Sequence, residues 1–415
     1  MKRFNRPSCR LKSDWLSGIP GFAWQCLLLA SCLLLAGCPS KTSQPPPARE
    51  TLVKVEAEQL PDFADDLDLN SLQTAIKQSL AFYSRVPADR TYKLGDMQVR
   101  ADLLKATLIE FLRLLEAGEL NKQSVAESFD VYRFQPAEKQ SGLLLTGYYE
   151  PILDGSLSPD DAYRHPLYSM PPDLLTIDLA AFDPEQYAGK SLKGRLDGNR
   201  VVPYFTREEI DGQGKLDSCG CAMVWLRDPI DIFFLQVQGS GMIRLGQDRF
   251  RRVGYASGNG RPYRSIGKYL IDQGLMNAEE VSLQTIRSYL WDHPERRDEV
   301  LWYNPNYVFF RWVEQGPLGS LNVPLTAGRS IATDPQQYPR GGIAWLQSVK
   351  PHIDPEGNPS NWEPFSRWVV NQDTGGAIKG AFRADLFCGS GEPAEQVAGR
   401  LKHPGSLFVL IKKSP

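Results

Sequence analysis

Histidine is nearly missing from this 415-residue chain, which contains only His165, His293, His352 and His403. No two of them stand at metal-ligand spacing, so a histidine-held metal or a histidine relay is not expected. Chemistry here is expected to run on carboxylates. Cysteine is also scarce: seven residues are too few for a disulfide scaffold. Net charge is small, with 47 Lys+Arg against 49 Asp+Glu giving -2. That balance offers no basic footprint, so nucleic acid is not an expected partner. No tandem repeat of fixed period is present. In abundance are 35 Gly and 31 Pro, a richness that belongs with many turns and short strands. The length allows roughly two or three domains, each able to bury a full core.

The N-terminal 37 residues read as an export signal (domain 1–37). Lys2, Arg3, Arg6, Arg10 and Lys12 form a basic start, and an apolar stretch runs from Leu27 to Leu35. The stretch is short of the roughly 20 residues that span a bilayer. Leu35-Ala36-Gly37-Cys38 follows and resembles the lipobox of bacterial lipoproteins. That resemblance implies cleavage before Cys38 and lipidation of its thiol; the alternative is an uncleaved N-terminal anchor. Pro39-Ser40, with no Asp after the Cys, implies sorting to the outer membrane, facing the periplasm. Removal of the signal leaves 42 Lys+Arg against 48 Asp+Glu, a charge of -6. Apart from Cys38, it leaves Cys219, Cys221 and Cys388. Cys219-Gly220-Cys221 is at most half a metal site, and a disulfide from Cys388 to one of this pair stays open.

Residues 38–57, with Pro45-Pro46-Pro47, read as a flexible tether. Helical spacing of apolar residues predicts helices over 71–84 and 98–117, the second with Leu103, Leu104, Leu108, Phe111, Leu112 and Leu115 on one face. Residues 141–150 switch to a β-rich run. From 151 to 317 the texture is Pro-rich with short strands. Ile232 to Gln238 is the clearest strand, closed by a Gly239-Ser240-Gly241 turn. Residues 264–274 and 278–291 look helical, and 307–310 look like a strand. Further strands are expected at 342–348, 366–371, 383–388 and 406–412. Short strands with frequent Gly and Pro favour small barrels over a doubly wound sheet.

Four segments can carry chemistry. Asp373-Thr374-Gly375-Gly376-Ala377-Ile378-Lys379-Gly380 is followed by Arg383-Ala384-Asp385-Leu386-Phe387. Glycines admit positive φ and close approach of a ligand. Asp385, set in an apolar strand, is expected to have a raised pKa, as a general acid near neutral pH requires. The alternative is an Asp on a solvated edge. Gln236 to Gly241 would alternate two amide side chains on one strand face, suited to hydroxyl and N-acetyl recognition, or else form the polar outward face of an edge strand. Ser240 lacks the Gly-x-Ser-x-Gly elbow of a nucleophile. Thr146-Gly147-Tyr148-Tyr149-Glu150-Pro151 offers ring faces for sugars, or buried core tyrosines instead, with Glu150 expected at a rim. Gly328-Arg329-Ser330 to Asp334 sets polar groups on a Gly-led turn.

Together these segments resemble the membrane-bound lytic murein transglycosylase A family. The match runs in order through Thr146–Tyr149, Leu235–Gly241, Tyr255-Ala256, Asn259-Gly260, Tyr263–Lys268, Asn304-Pro305, Phe309-Phe310, Val323–Leu325, Gly328–Ser330, Asp373–Gly380, Asp385, Gly389 and Gly391. It spans about residues 140–400. The resemblance implies a mainly β protein with N-terminal helices. A double-psi β-barrel domain (58–150 and 318–415) would carry a smaller inserted β-rich domain (151–317), with a glycan groove between them. It implies a peptidoglycan lytic transglycosylase in which Asp385 is the catalytic acid, supported by Asp373. Thr146, Tyr148, Tyr149, Gln236, Gln238, Gly239, Ser240, Gly241, Arg329, Ser330, Gly375, Gly376 and Lys379 are the expected substrate contacts. No metal and no cofactor is implied. Partners would be glycan strands, the membrane through the lipid on Cys38, and, left open, cell-wall synthases or scaffolds. Two alternatives remain: a hydrolase on the same barrel using Asp373 or Glu392 as second carboxylate, and a non-catalytic wall-binding lipoprotein.

Overall fold

The structure is a computed structural model that describes residues 51–136, 142–354 and 359–414. The signal region and Cys38 lie outside the described residues. Six strands close a barrel: β1 (Leu143–Glu150), β2 (Ser330–Thr333), β3 (Ile343–Ile353), β4 (Pro359–Asp373), β5 (Arg383–Ser390) and β6 (Lys402–Lys412). Their order around the ring is β6-β3-β4-β2-β5-β1, and β1 returns to pair with β6. The pairs β2/β4 and β1/β5 are parallel, and the remaining pairs are antiparallel. Strand Phe129–Gln135 extends the sheet on β6, and strand Thr51–Lys54 pairs with it in turn. The last part of the stretch read as a tether is therefore a paired strand.

The two expected helices form where the apolar period placed them. In α1 (Leu69–Tyr83), Leu72, Ala75, Ile76, Ser79 and Tyr83 are buried on one face, and the Asp68 side chain accepts the Ser71 N–H as an N-cap. In α2 (Ala101–Glu116), Leu104, Leu108, Phe111 and Leu115 face inward. Both lie on the barrel. Phe111 meets Trp368 edge-on at 4.7 Å, while Phe63 stacks on Trp368 at 4.8 Å. Such rings supply the largest apolar area per residue in a core.

The inserted unit holds a six-stranded sheet in the order Val308–Val313, Phe250–Gly258, Ser240–Arg244, Ile152–Ser156, Ala222–Leu226 and His165–Tyr168. Ile152–Ser156 continues from β1 after Pro151, so the barrel hands the chain directly to this sheet. The segment expected to be its clearest strand is instead helix α3 (Pro229–Gln238). Its signals were capping signals rather than a period. Asp228 accepts the Ile230 N–H, Pro229 fits the first turn, and Gly239 ends the helix at φ 79°. Ile230, Ile232, Phe233, Phe234, Leu235 and Gln236 are all buried. A helix covered on most sides has no polar stripe, and its apolar run imitates a strand.

Cys219 and Cys221 are joined to each other by a disulfide, and Cys388 is free. The pairing left open between Cys388 and this pair is therefore not the one formed.

An N-terminal strap, residues 63–68, crosses the barrel on buried charge. Arg329 is 0% exposed and pairs with Asp65, 7% exposed, at 2.6 Å. Its guanidinium also donates to Ser71 Oγ, Asp68 O and Trp368 O. Asp65 in turn accepts the Trp368 N–H at 2.9 Å. Removing one partner of such a pair strands the other in low dielectric, which typically costs about 3–5 kcal/mol. Arg329→Met should therefore lower unfolding stability by about that amount in urea titration, and adding Asp65→Leu should recover much of it. Equal stability of the single and double variants would contradict this account.

Candidate active site

Barrel register brings the two carboxylates to one level. On β2, Ala332 stands opposite Asp373 of β4 on one side and opposite Asp385 of β5 on the other. Asp385 in turn faces Thr146 of β1 across the parallel ladder. The row Asp373, Ala332, Asp385, Thr146 thus crosses four adjacent strands, with the smallest side chain between the acids.

Asp385 Oδ1 accepts a hydrogen bond from Thr146 Oγ1 at 2.8 Å. Arg383 Nη2 donates to Thr146 Oγ1 at 3.3 Å. Burial raises the Asp385 pKa to about 6. The Thr146 bond and the Arg383 charge pull it down, and Asp373 pushes it up. The residue as a whole is part-buried rather than sealed in the core. Asp373 is differently held: Oδ1 accepts the backbone N–H groups of Ser320 at 2.9 Å and Thr374 at 2.8 Å, and Oδ2 accepts Tyr148 OH at 3.1 Å. Burial raises its pKa too, against those bonds. Cys388 is no candidate nucleophile, because burial, with the Asp385 charge, pushes its thiol up to about 12.

Four expected residues therefore line one site as two hydrogen-bonded pairs, Thr146 with Asp385 and Tyr148 with Asp373. Arg383, which sequence reasoning left without a role, joins the Asp385 pair through Thr146; its i,i+2 spacing to Asp385 on one strand was the available signal. Lys379 and Gly376 are exposed on the turn after β4, and a Cβ at Gly376 would meet nothing within 4 Å. The turn needs no positive φ at Gly375 or Gly376; the left-handed residue is Gly380, at φ 81°. Its N–H donates to Asp334 Oδ2 at 2.8 Å.

Other expected contacts lie elsewhere. Gln236 is buried on α3 and accepts from Arg207 Nη2. Gln238 Oε1 accepts the Tyr149 N–H at 2.9 Å, which ties the inserted unit to β1. Gly239 caps α3, while Ser240 and Gly241 are buried at the start of the next strand. Tyr149 is buried against Ala394 and Ala398 of α4 (Glu392–Ala398). Arg329 is spent on the N-terminal strap, and Ser330 Oγ donates to Gln372 Oε1 at 2.6 Å, with the residue fully buried. Polar residue types alone do not tell inward from outward, so these side chains read as surface. Glu150 is not at a rim: it is 0% exposed, bound by Arg252 at 2.5 and 3.1 Å and by Ser390 Oγ at 2.7 Å.

A buried acid beside a hydrogen-bonded second carboxylate, in a β-barrel carrying an inserted sheet, defines a class of carboxylate-run enzyme. The description "MltA specific insert domain" matches residues 144–311, and "3D domain" matches residues 329–411. The membrane-bound lytic murein transglycosylase A of Vibrio cholerae is 32% identical over 282 residues, covering 67% of this chain and 68% of that protein. The Escherichia coli K12 protein of the same name is 31% identical over 299 residues, covering 71% and 73%. A crystal structure of a membrane-bound lytic murein transglycosylase from Agrobacterium tumefaciens superposes with TM-score 0.73 at 31% identity, covering 87% of this chain and 98% of that one. The chain belongs to the membrane-bound lytic murein transglycosylase A family.

The raised pKa of Asp385 makes a stability statement. Its carboxyl binds a proton more tightly folded than unfolded, so stability is lost as pH rises from about 4 through about 6. Asp385→Asn removes that penalty. Thermal unfolding of the variant should exceed wild type at pH 8, by roughly 1–3 kcal/mol, with the gap closing below pH ~4. A gap of the same size at both pH values would count against a desolvated carboxyl.

Proposed function

We propose that this chain cleaves the β-1,4 bond between N-acetylmuramic acid and N-acetylglucosamine in peptidoglycan without water, with Asp385 acting as acid and then as base. The carrying observation is the Asp385 carboxyl, poised at about pH 6 beside a second carboxylate whose two oxygens already accept hydrogen bonds. Thr146 occupies Oδ1 of Asp385, which leaves Oδ2 for the mobile proton. The protonated acid gives that proton to the glycosidic oxygen as the bond breaks, and positive charge develops on the muramyl ring. The ionised Asp385 then takes the proton of the 6-hydroxyl, whose oxygen attacks C1 and closes a 1,6-anhydro ring. The attacking group is already attached to the reacting sugar, so proximity replaces a bound water.

A hydrolase needs a second carboxylate free to attack or to activate water. Asp373 is bound at both oxygens, and Glu392 sits on the exposed first turn of α4. Asp373 instead orients Tyr148 and adds negative potential that helps keep Asp385 protonated. Tyr148, Thr146, Lys379 and the open turn at Gly376 are the contacts this reading retains. The two parallel pairs β2/β4 and β1/β5 are what a double-psi crossing uses. The division is a barrel part of 58–150 with 318–415, to which the paired strand at Thr51–Lys54 is added, and an inserted part of 151–317. The lipid on Cys38 would hold the protein on the outer membrane, facing the periplasm.

Asp385→Asn should fold and lose more than about 99% of activity on isolated peptidoglycan, since general acid catalysis contributes 10²–10⁴-fold. Muropeptides released by wild type should be one water lighter than hydrolysis products by mass spectrometry. Products of hydrolytic mass, or an active Asn variant, would overturn the mechanism. The rate should fall as pH rises through about 6. Thr146→Val removes a bond to the ionised acid, which raises the pKa, so that limb should move to higher pH.

A further inference from the structure

A cavity of about 360 Å³ opens on the inserted unit, and none of its lining residues comes from the barrel. Its wall is built by Trp291, Arg227, Arg297, His165, Asp228 and Pro294. Trp291 is 54% exposed, a large apolar ring left facing water. Yet the ring is held in place. Its Nε1–H donates to Asp228 Oδ2 at 2.6 Å, and the Arg287 guanidinium stands 5.8 Å from its centroid. Asp228 Oδ1 meanwhile accepts the Ile230 N–H at 2.8 Å, so both oxygens of the only acid in the wall are engaged. Two guanidiniums remain beside the indole. Arg227 donates to Tyr163 OH at 2.8 Å and lies over that ring; Arg297 donates from Nε to Asp298 Oδ1 at 2.9 Å. Burial, with the Arg297 charge, holds His165 below its ordinary pKa, so at neutral pH it presents a neutral ring.

A fixed indole face suits the C–H face of a sugar, and guanidinium forks suit carboxylates. We infer that this cavity is a second binding site for peptidoglycan, taking a sugar on Trp291 and a peptide-stem carboxylate on Arg227 and Arg297. The inference rests on the substrate class proposed above. Its placement agrees with that use. Helix α3 begins at this cavity with Pro229 and ends at Gln238, which holds Tyr149 three residues beyond Thr146. Ten helical residues span about 15 Å, which is the separation along α3 between the cavity and the end of the helix that holds β1. The second site would hold the strand on the enzyme while Asp385 works.

The test separates binding from turnover. In an Asp385→Asn background, co-sedimentation with purified sacculi should weaken about tenfold on Trp291→Ala and about tenfold on Arg297→Gln. Trp291→Phe, which keeps a stacking face, should stay within about threefold of its parent. Amidating the stem carboxylates should erase the effect of Arg297→Gln and leave that of Trp291→Ala. With Asp385 intact, both variants should keep wild-type kcat on a short soluble glycan. Unchanged sacculus binding in both Trp291→Ala and Arg297→Gln would overturn the inference, as would a fall in kcat on the short glycan. Failure of the parent reading looks different: wild type would then leave peptidoglycan uncut.

Discussion

The molecule's chemistry depends on one hydrogen bond made across a parallel strand pair. Thr146 of β1 and Asp385 of β5 stand in register, and the hydroxyl of one meets the carboxylate of the other at 2.8 Å. Closure of the six-strand ring removes most water from this point, which is what lifts the carboxyl to about pH 6. The Thr146 bond and, after it, the Arg383 charge limit the rise. Without burial the acid would be ionised when its proton is needed; with burial alone it would be a poor base afterwards.

Keeping that bond in register is the task of the junction between barrel and inserted unit. Beside Thr146, a Cβ at Gly147 would lie 2.8 Å from Ala398 Cα and 3.1 Å from Cys388 Sγ. Only glycine lets α4 press this closely on β1. Tyr149 is fixed by Gln238, and Glu150 is locked to Arg252 of the inserted sheet and to Ser390 of β5. Of the three residues after Gly147, two join the parts, Tyr149 to α3 and Glu150 to the neighbouring sheet, while Tyr148 reaches Asp373 within the barrel. A buried carboxylate such as Glu150 is strongly destabilising when its partner is lost, which makes the junction specific in geometry.

What the sequence revealed, and what it hid, follows from how each signal arises. Asp385 was legible because a charge inside an apolar strand is anomalous by composition alone, and Asp373 because it precedes a Gly-rich turn. Amphipathic α1 and α2 were legible from their period. Helix α3 was not, since burial on most sides erased the polar stripe and left a β-like run; its Asp-Pro start and glycine end carried the information. Gln236, Arg329 and Ser330 looked like ligand contacts because they are polar, but each is consumed by a buried partner that lies far away in sequence: Arg207, Asp65 and Gln372. Side-chain direction at such positions is a tertiary property. Trp291 was hidden for the opposite reason, because an aromatic in a helical segment reads as core until its exposure is seen.

Everything in this mechanism requires that burial hold Asp385 protonated close to neutral pH. The most direct measurement is an isotope-labelled carboxyl titration of the Asp residues by NMR, with the Asp385 resonance assigned by its loss in Asp385→Asn. A midpoint near 6 is the predicted result. A midpoint near the ordinary aspartate value of about 3.9 would mean that the carboxyl is solvated and ionised, and the single-acid mechanism would fail.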